Sequence, residues 1–157
     1  MIPFVPSPGA AGGPVVRAAQ RAVAALERLQ PVALLAARLY VARVFFLSGL
    51  TKLRDWDTTV LLFTEEYRVP LLSPVAAAWA GTAGELLLPV LLALGLGGRV
   101  AAAGLLVVNG VAVISLPELT EAAAQQHLFW GCLLTGLLLW GPGRWSIDRV
   151  LRGRAQF

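Results

Sequence analysis

The chain has 157 residues, of which 57% are hydrophobic and 14% are charged, against about 45–50% and about 25% in a soluble domain, so the composition predicts an integral membrane protein. Cys132 is the only cysteine, which excludes an internal disulfide or a dithiol relay within the chain. The net charge of +4 does not indicate a nucleic-acid partner, because the basic residues flank apolar segments instead of forming one patch.

The first thirty residues carry two different patterns. Residues 1–14 are rich in proline and glycine and have no positive charge before an apolar run, which predicts a disordered tail and not a signal peptide. Residues 15–30 place arginines on one face and apolar residues on the other, as in an amphipathic helix that lies in a membrane interface. A helix docked on a partner subunit fits the same pattern. Pro31 is predicted to open the first membrane span.

Four apolar segments follow, each long enough to cross the hydrocarbon core of a bilayer. They cover residues 32–53, 74–96, 99–116 and 122–140. Residues 54–73 form the longest connection between spans, and residues 144–157 form a basic tail. The predicted fold class is all-α: an integral membrane four-helix bundle, within residues 31–143, preceded by the amphipathic interfacial helix.

Lysine and arginine residues beside the spans are distributed unequally between the two sides of the predicted bundle. Eight arginines fall on the side of both termini, whereas only Lys52, Arg54 and Arg68 fall on the other. Because cytoplasmic loops carry the excess of positive charge, both termini are predicted to lie in the cytoplasm. Small residues on the helix faces predict close packing and would allow a homodimer in the bilayer.

Two charged residues lie deep in the predicted spans. A charge at the centre of a membrane helix costs at least about 2.5–3.5 kcal/mol, so it needs a partner. Arg43 lies ten residues before the end of the first span and Glu85 eleven after the start of the second, which gives them a similar depth. They are predicted to form a buried ion pair. Pro89 also deprives the Glu85 carbonyl of its usual backbone donor.

Asn109 lies at a similar depth, and His127 lies in the outer third of the fourth span. Together with Arg43 and Glu85 they are predicted to line an outward-facing pocket for a quinone head group, in which Glu85 or His127 handles protons. The structural alternative is that the ion pair fixes helix register while Asn109 makes an interhelical hydrogen bond. No His, Cys or carboxylate residues have metal-ligand spacing, so no metal site is predicted. Lys52 is expected to extend to an interface.

Three segments resemble the DoxX family of small bacterial four-helix membrane proteins. They are ARVFFLSGLTKL (42–53), AGELLLPVLLALGLGGR (83–99) and HLFWGCLLTGLLLWGPGRWSIDRVL (127–151), and the resemblance extends over about residues 33–151. It implies a component of redox assemblies, because relatives belong to a thiosulfate:quinone oxidoreductase or are linked to oxidative-stress defence. The arginine of the family's first span corresponds to Arg43 and the glutamate of its second span to Glu85. Ser48 departs from the residue type expected before the first-span glycine.

The resemblance and the residues together predict a DoxX-like subunit of a redox complex in the bacterial cytoplasmic membrane. It would be either a non-catalytic or a quinone-contacting subunit with protein partners, and it would hold no covalently bound cofactor. Any activity would belong to the oxidoreductase complex and not to this chain alone. Two other classes remain open: a small protein that binds or transports a proton, metal ion or small solute, and a structural anchor for a peripheral partner.

Overall fold

The structure is a computed structural model that describes residues 13–154. Within these residues the chain forms six α-helices and no strand: α1 (Pro14–Arg54), α2 (Trp56–Glu65), α3 (Pro74–Leu94), α4 (Gly98–Ser115), α5 (Glu121–Trp140) and α6 (Ile147–Arg154). The all-α prediction is therefore confirmed for this part of the chain. The predicted disordered tail lies outside the described residues, apart from its last two positions.

α1 is one helix of 41 residues that continues through Pro31. No helix begins at Pro31, because the proline removes only the hydrogen bond to the Glu27 carbonyl while good helix formers stand on both sides. The start of the first membrane span at this residue stays a prediction. Residues 14–30 are exposed along their whole length, so this half of α1 extends away from the other helices. Its location in a membrane interface stays a prediction.

Three of the helices, α1, α3 and α4, are long and apolar enough to cross a membrane. α5 has 20 residues, but Gln125, Gln126 and His127 make its first half polar. The long apolar helices support a membrane protein, and the fourth predicted span stays a prediction.

The four long helices enclose one core. α1 packs against α3 and α5, and α4 packs against α3 and α5. Glycines set the closest approaches: a Cβ on Gly49 of α1 would lie 3.1 Å from the Glu85 Cβ of α3, and one on Gly104 of α4 would lie 2.8 Å from the Leu88 side chain. Small residues bring membrane helices together in this way.

The core cluster is apolar. It contains Val41, Phe45, Leu92, Ala101, Ala102, Leu105, Leu134 and Leu137. These side chains lie toward the end of the molecule where α3 turns into α4 and where α6 lies, which we call the α6 end. The opposite end, where α2 lies, is the α2 end.

α2 lies within the segment 54–73 that was predicted as a plain connection. The Asp55 carboxylate caps this helix by accepting the Thr58 N–H at 3.0 Å. Phe63 packs on Ala77 and Ala78 of α3, and the Arg68 N–H donates to the Ser115 carbonyl at 2.8 Å. α2 therefore covers the first turns of α3, which extend beyond the end of α1.

The segment after α5 folds back over the turn between α3 and α4. Asp148 accepts the N–H groups of Gly97 and Gly98 at 2.8 and 3.0 Å, so it caps the start of α4. Arg38 of α1 is 1% exposed and donates from Nη2 to the Trp145 carbonyl at 2.6 Å. These bonds close the α6 end.

Candidate functional site

An ion pair joins α1 to α3 inside the bundle. Lys52 Nζ lies 2.6 Å from Glu85 Oε2, and the two side chains are 20% and 11% exposed. The ammonium group also donates to Ser48 Oγ at 3.0 Å. Hydrogen bonds between charged partners are short and strong, and this one links the two helices beside Gly49, where they pack closely.

The ion pair predicted between Arg43 and Glu85 is wrong. Arg43 lies on the exposed side of α1, and the Glu85 carboxylate contacts Lys52 instead. Arg43 and Lys52 are nine residues apart and therefore about 180° apart around the helix, so only one of them can face α3. The buried side of α1 carries Phe45 and Gly49, which turns Lys52 inward and Arg43 outward.

Asn109 and His127 join α4 to α5. Asn109 Nδ2 donates to the His127 backbone carbonyl at 3.0 Å, and Asn109 Oδ1 lies 2.8 Å from His127 Nδ1. Because an amide oxygen can only accept, Nδ1 is the donor in this contact, and Nε2 of the neutral ring remains an acceptor. The interhelical hydrogen bond of Asn109 that the structural alternative predicts is present.

The two pairs lie at one level of the bundle. Gly49 lies against Glu85, and Gly84 lies against Val108, so Glu85 and Asn109 differ by only about 3 Å along the helices. At this level each of the four long helices contributes at least one inward-facing side chain with a polar atom. We call them the polar layer: Lys52, Thr82, Glu85, Asn109, His127 and Trp130. Three of the four predicted pocket residues lie in it, and Arg43 does not.

Two buried donors in the polar layer have no hydrogen-bond partner: Thr82 Oγ1 and Trp130 Nε1. The Trp130 ring is held edge-on by Phe45 and by His127, with ring centroids 5.7 and 5.0 Å away. A buried polar group without a partner costs about 1–3 kcal/mol, and such groups are rare. A bound acceptor at this level would remove that cost.

Tyr67 lies at the α2 end, close to the polar layer. Its ring stacks on Phe63 with centroids 4.9 Å apart. Burial raises the pKa of the Tyr67 phenol, and the negative charges of Glu85 and Glu66 raise it further. The phenol is therefore a neutral donor at physiological pH, within reach of the electric field of Glu85.

Sequence reasoning missed several residues of this site. Lys52 had a signal, because it lies opposite Arg43 on α1 and shares the face of Gly49. Tyr67 had none, since it belongs to a connection whose path depends on the packing of α2. Among the described residues, no group of three or more His, Cys, Asp or Glu side chains could hold a metal ion.

Comparison with known proteins gives one family. The sequence model of the DoxX family matches residues 33–117, more than half of the chain. The matched range includes Lys52, Glu85 and Asn109, whereas α5 and the third resembling segment, 127–151, lie beyond it. No curated protein and no solved structure matches the chain. The extent of the family match, over helices apolar enough to cross a membrane, shows that the chain belongs to the DoxX family of membrane proteins.

Proposed function

We propose that the protein is an integral membrane subunit of a redox complex, in which the polar layer binds the head group of a quinone and exchanges protons with it. The observation that carries the proposal is the pair of buried donors, Thr82 Oγ1 and Trp130 Nε1, at the level of the Lys52–Glu85 ion pair. A quinone head group has two carbonyl oxygens that accept hydrogen bonds and a flat ring that packs on aromatic side chains. Both requirements fit the residues around Trp130.

The residues of the polar layer have different roles in this function. Reduction of a quinone to a quinol consumes two electrons and two protons. Cys132 is the only cysteine and provides no dithiol, so the electrons come from a redox centre in a partner subunit. Within this chain, Glu85 and His127 hold and transfer protons, and Lys52 and Asn109 orient them.

Membrane placement is part of the proposal. α1, α3, α4 and α5 cross the bacterial cytoplasmic membrane as a four-helix bundle, with both termini in the cytoplasm. The distribution of arginines supports this orientation, since Arg99, Arg144 and Arg149 lie at the α6 end. The polar layer then opens toward the outer side, beneath α2 and Tyr67.

Partner subunits complete the proposal. Residues 14–30 of α1 are exposed and carry an apolar side, which includes Val16, Val23 and Leu26. This half-helix offers a docking surface to a peripheral subunit, or to a second copy of the chain.

The experiment that tests the proposal measures binding of a short-chain quinone to the purified protein by isothermal titration calorimetry. Trp130→Phe removes the N–H donor and keeps an aromatic ring, so binding should weaken about 3- to 10-fold, as expected for the loss of one hydrogen bond. Trp140→Phe is the matched control, because Trp140 is 66% exposed and lies at the α6 end. The proposal fails if no quinone binds, or if both variants bind like the original protein.

A second function, proton or cation transport, is favoured by one observation. The Lys52–Glu85 pair is partly exposed, so the carboxylate can be reached from the α2 end. A transporter would move protons across sealed vesicles that contain a pH-sensitive dye and no electron donor, and Glu85→Gln would abolish this flux. A structural anchor would show neither quinone binding nor flux.

A further inference from the structure

A cavity of about 670 Å³ lies at the α6 end, separate from the polar layer. Its walls come from α1, from the start of α4 and from the segment after α5. Leu34 and Val100 provide apolar surface, and Arg99, Arg144 and Arg149 provide charge. The volume is that of a typical small-molecule site.

The cavity has an excess of positive charge. Its three arginines face one carboxylate, that of Asp148, whose two oxygens already accept the N–H groups of Gly97 and Gly98. Asp148 also lies close enough to the buried Arg38 for their charges to interact. Arg144 and Arg149 are exposed and make no ion pair with a residue that the structure describes. The negative charge of Asp148 is thus compensated by Arg38 and by the N–H groups of Gly97 and Gly98.

The position of the cavity corresponds to the head-group region of a bilayer. It lies where α3 and α4 end at their common turn, and therefore at the edge of the apolar helices. Trp140 and Trp145 stand beside it, 66% and 57% exposed, and exposed tryptophans are typical of membrane interfaces. A ligand bound here would meet arginines on one side and the ends of apolar helices on the other.

We propose that this cavity binds the phosphate group of an anionic phospholipid. Guanidinium groups donate in pairs to phosphate oxygens, and basic pockets between membrane helices hold anionic head groups. Arg99 is fixed by donating from Nη2 to the Leu139 carbonyl at 3.1 Å, whereas Arg144 and Arg149 are free to close on the phosphate. The acyl chains extend along Leu34 and Val100 toward the membrane interior.

The test uses the full chain, freed of lipid in an uncharged detergent. Native mass spectrometry counts bound molecules after addition of phosphatidylglycerol, of phosphatidylcholine with the same acyl chains, or of inorganic phosphate. One phosphatidylglycerol should bind per chain, at least tenfold more tightly than phosphatidylcholine. The double variant Arg144→Gln/Arg149→Gln should bind it at least tenfold more weakly.

The matched control is Arg17→Gln/Arg21→Gln, which removes the same charge from the exposed half of α1 and should bind like the original protein. Equal losses in the two double variants would reduce the effect to net charge and overturn the proposal. Displacement of the lipid by inorganic phosphate at equal concentration would also overturn it, in favour of a soluble phosphate anion. If the double variant does not fold, Arg144→Gln alone replaces it, since the Arg144 side chain makes no hydrogen bond to a described residue.

Discussion

Replacing Lys52 with methionine tests the ion pair on which the polar layer depends. Methionine keeps much of the length of the side chain but removes the charge, so the Glu85 carboxylate, 11% exposed, loses its partner at 2.6 Å. Removing one partner of a fully buried ion pair costs about 3–5 kcal/mol. Because Lys52 is 20% exposed and water can reach the site, we expect the free energy of unfolding to fall by about 2–4 kcal/mol. In a chain of this size that lowers the Tm by about 4–16 °C.

The assay is thermal unfolding of the purified protein in detergent, followed by circular dichroism. Arg43→Met is the matched control: Arg43 is also a cation of α1, but it lies on the exposed side, and we expect a change within about 0.5 kcal/mol. A double-mutant cycle with Glu85→Gln isolates the interaction. Residues in contact couple by about 0.5–3 kcal/mol, so Lys52→Met/Glu85→Gln should be less destabilised than the sum of the single variants.

Two results would refute this reasoning. If Arg43→Met costs as much as Lys52→Met, the loss at Lys52 does not report an ion pair specific to that residue. If the effects of Lys52→Met and Glu85→Gln simply add, the contact contributes nothing to stability.

Three further predictions concern helix packing, the cap of α4 and the phenol at the α2 end. Gly49→Ala places a Cβ 2.9 Å from the Leu86 side chain and should lower the free energy of unfolding by about 1–3 kcal/mol. The control Gly110→Ala meets open space and should be neutral or stabilising. Equal effects of the two variants would contradict the close packing of α1 on α3 at Gly49. Asp148→Ala removes the acceptor for two N–H groups of α4 and should cost about 0.5–2 kcal/mol in the same assay, and no loss would show that the cap is unimportant. The pKa of Tyr67 is raised, chiefly by burial, so the stability due to its neutral phenol is complete below about pH 10 and is lost as the pH rises through the folded pKa. Ultraviolet absorbance should show this ionisation moving to lower pH in Glu85→Gln, and an unchanged titration would contradict the effect of Glu85 on the phenol.

The helices were predictable where an apolar composition is bounded by proline or glycine residues. The predicted segments 74–96 and 99–116 differ from α3 and α4 by at most two residues at each end, because Pro74 begins one helix and the glycines at 95–98 separate it from the next. α1 was not predictable in the same way. A proline inside a helical pattern usually ends the helix, but α1 continues through Pro31 because the alanine-rich, apolar sequence on both sides favours a helix.

The site was only partly predictable, because counting residues along a helix gives neither its rotation nor its offset along the neighbouring helix. Glu85, Asn109 and His127 could be placed by counting residues from the helix ends. The same count placed Arg43 at the depth of Glu85 and Lys52 at the interface, whereas in the structure Glu85 lies beside Gly49 and contacts Lys52. Gly49 is the signal that could have decided it, since a glycine in an apolar helix marks the face that approaches a neighbour most closely.

The order of residues along the core favours binding from one side over transport through the chain. Lys52 in the polar layer and Arg38 at the α6 end are 14 residues apart on α1, which is about 21 Å. The core between them is filled by the apolar cluster that contains Phe45, Leu105 and Leu134. A proton cannot pass such a layer without polar groups or water at hydrogen-bonding intervals. Under the proposed quinone-binding function, the polar layer therefore exchanges protons through the α2 end, on the side of the apolar cluster where Lys52 and Glu85 lie.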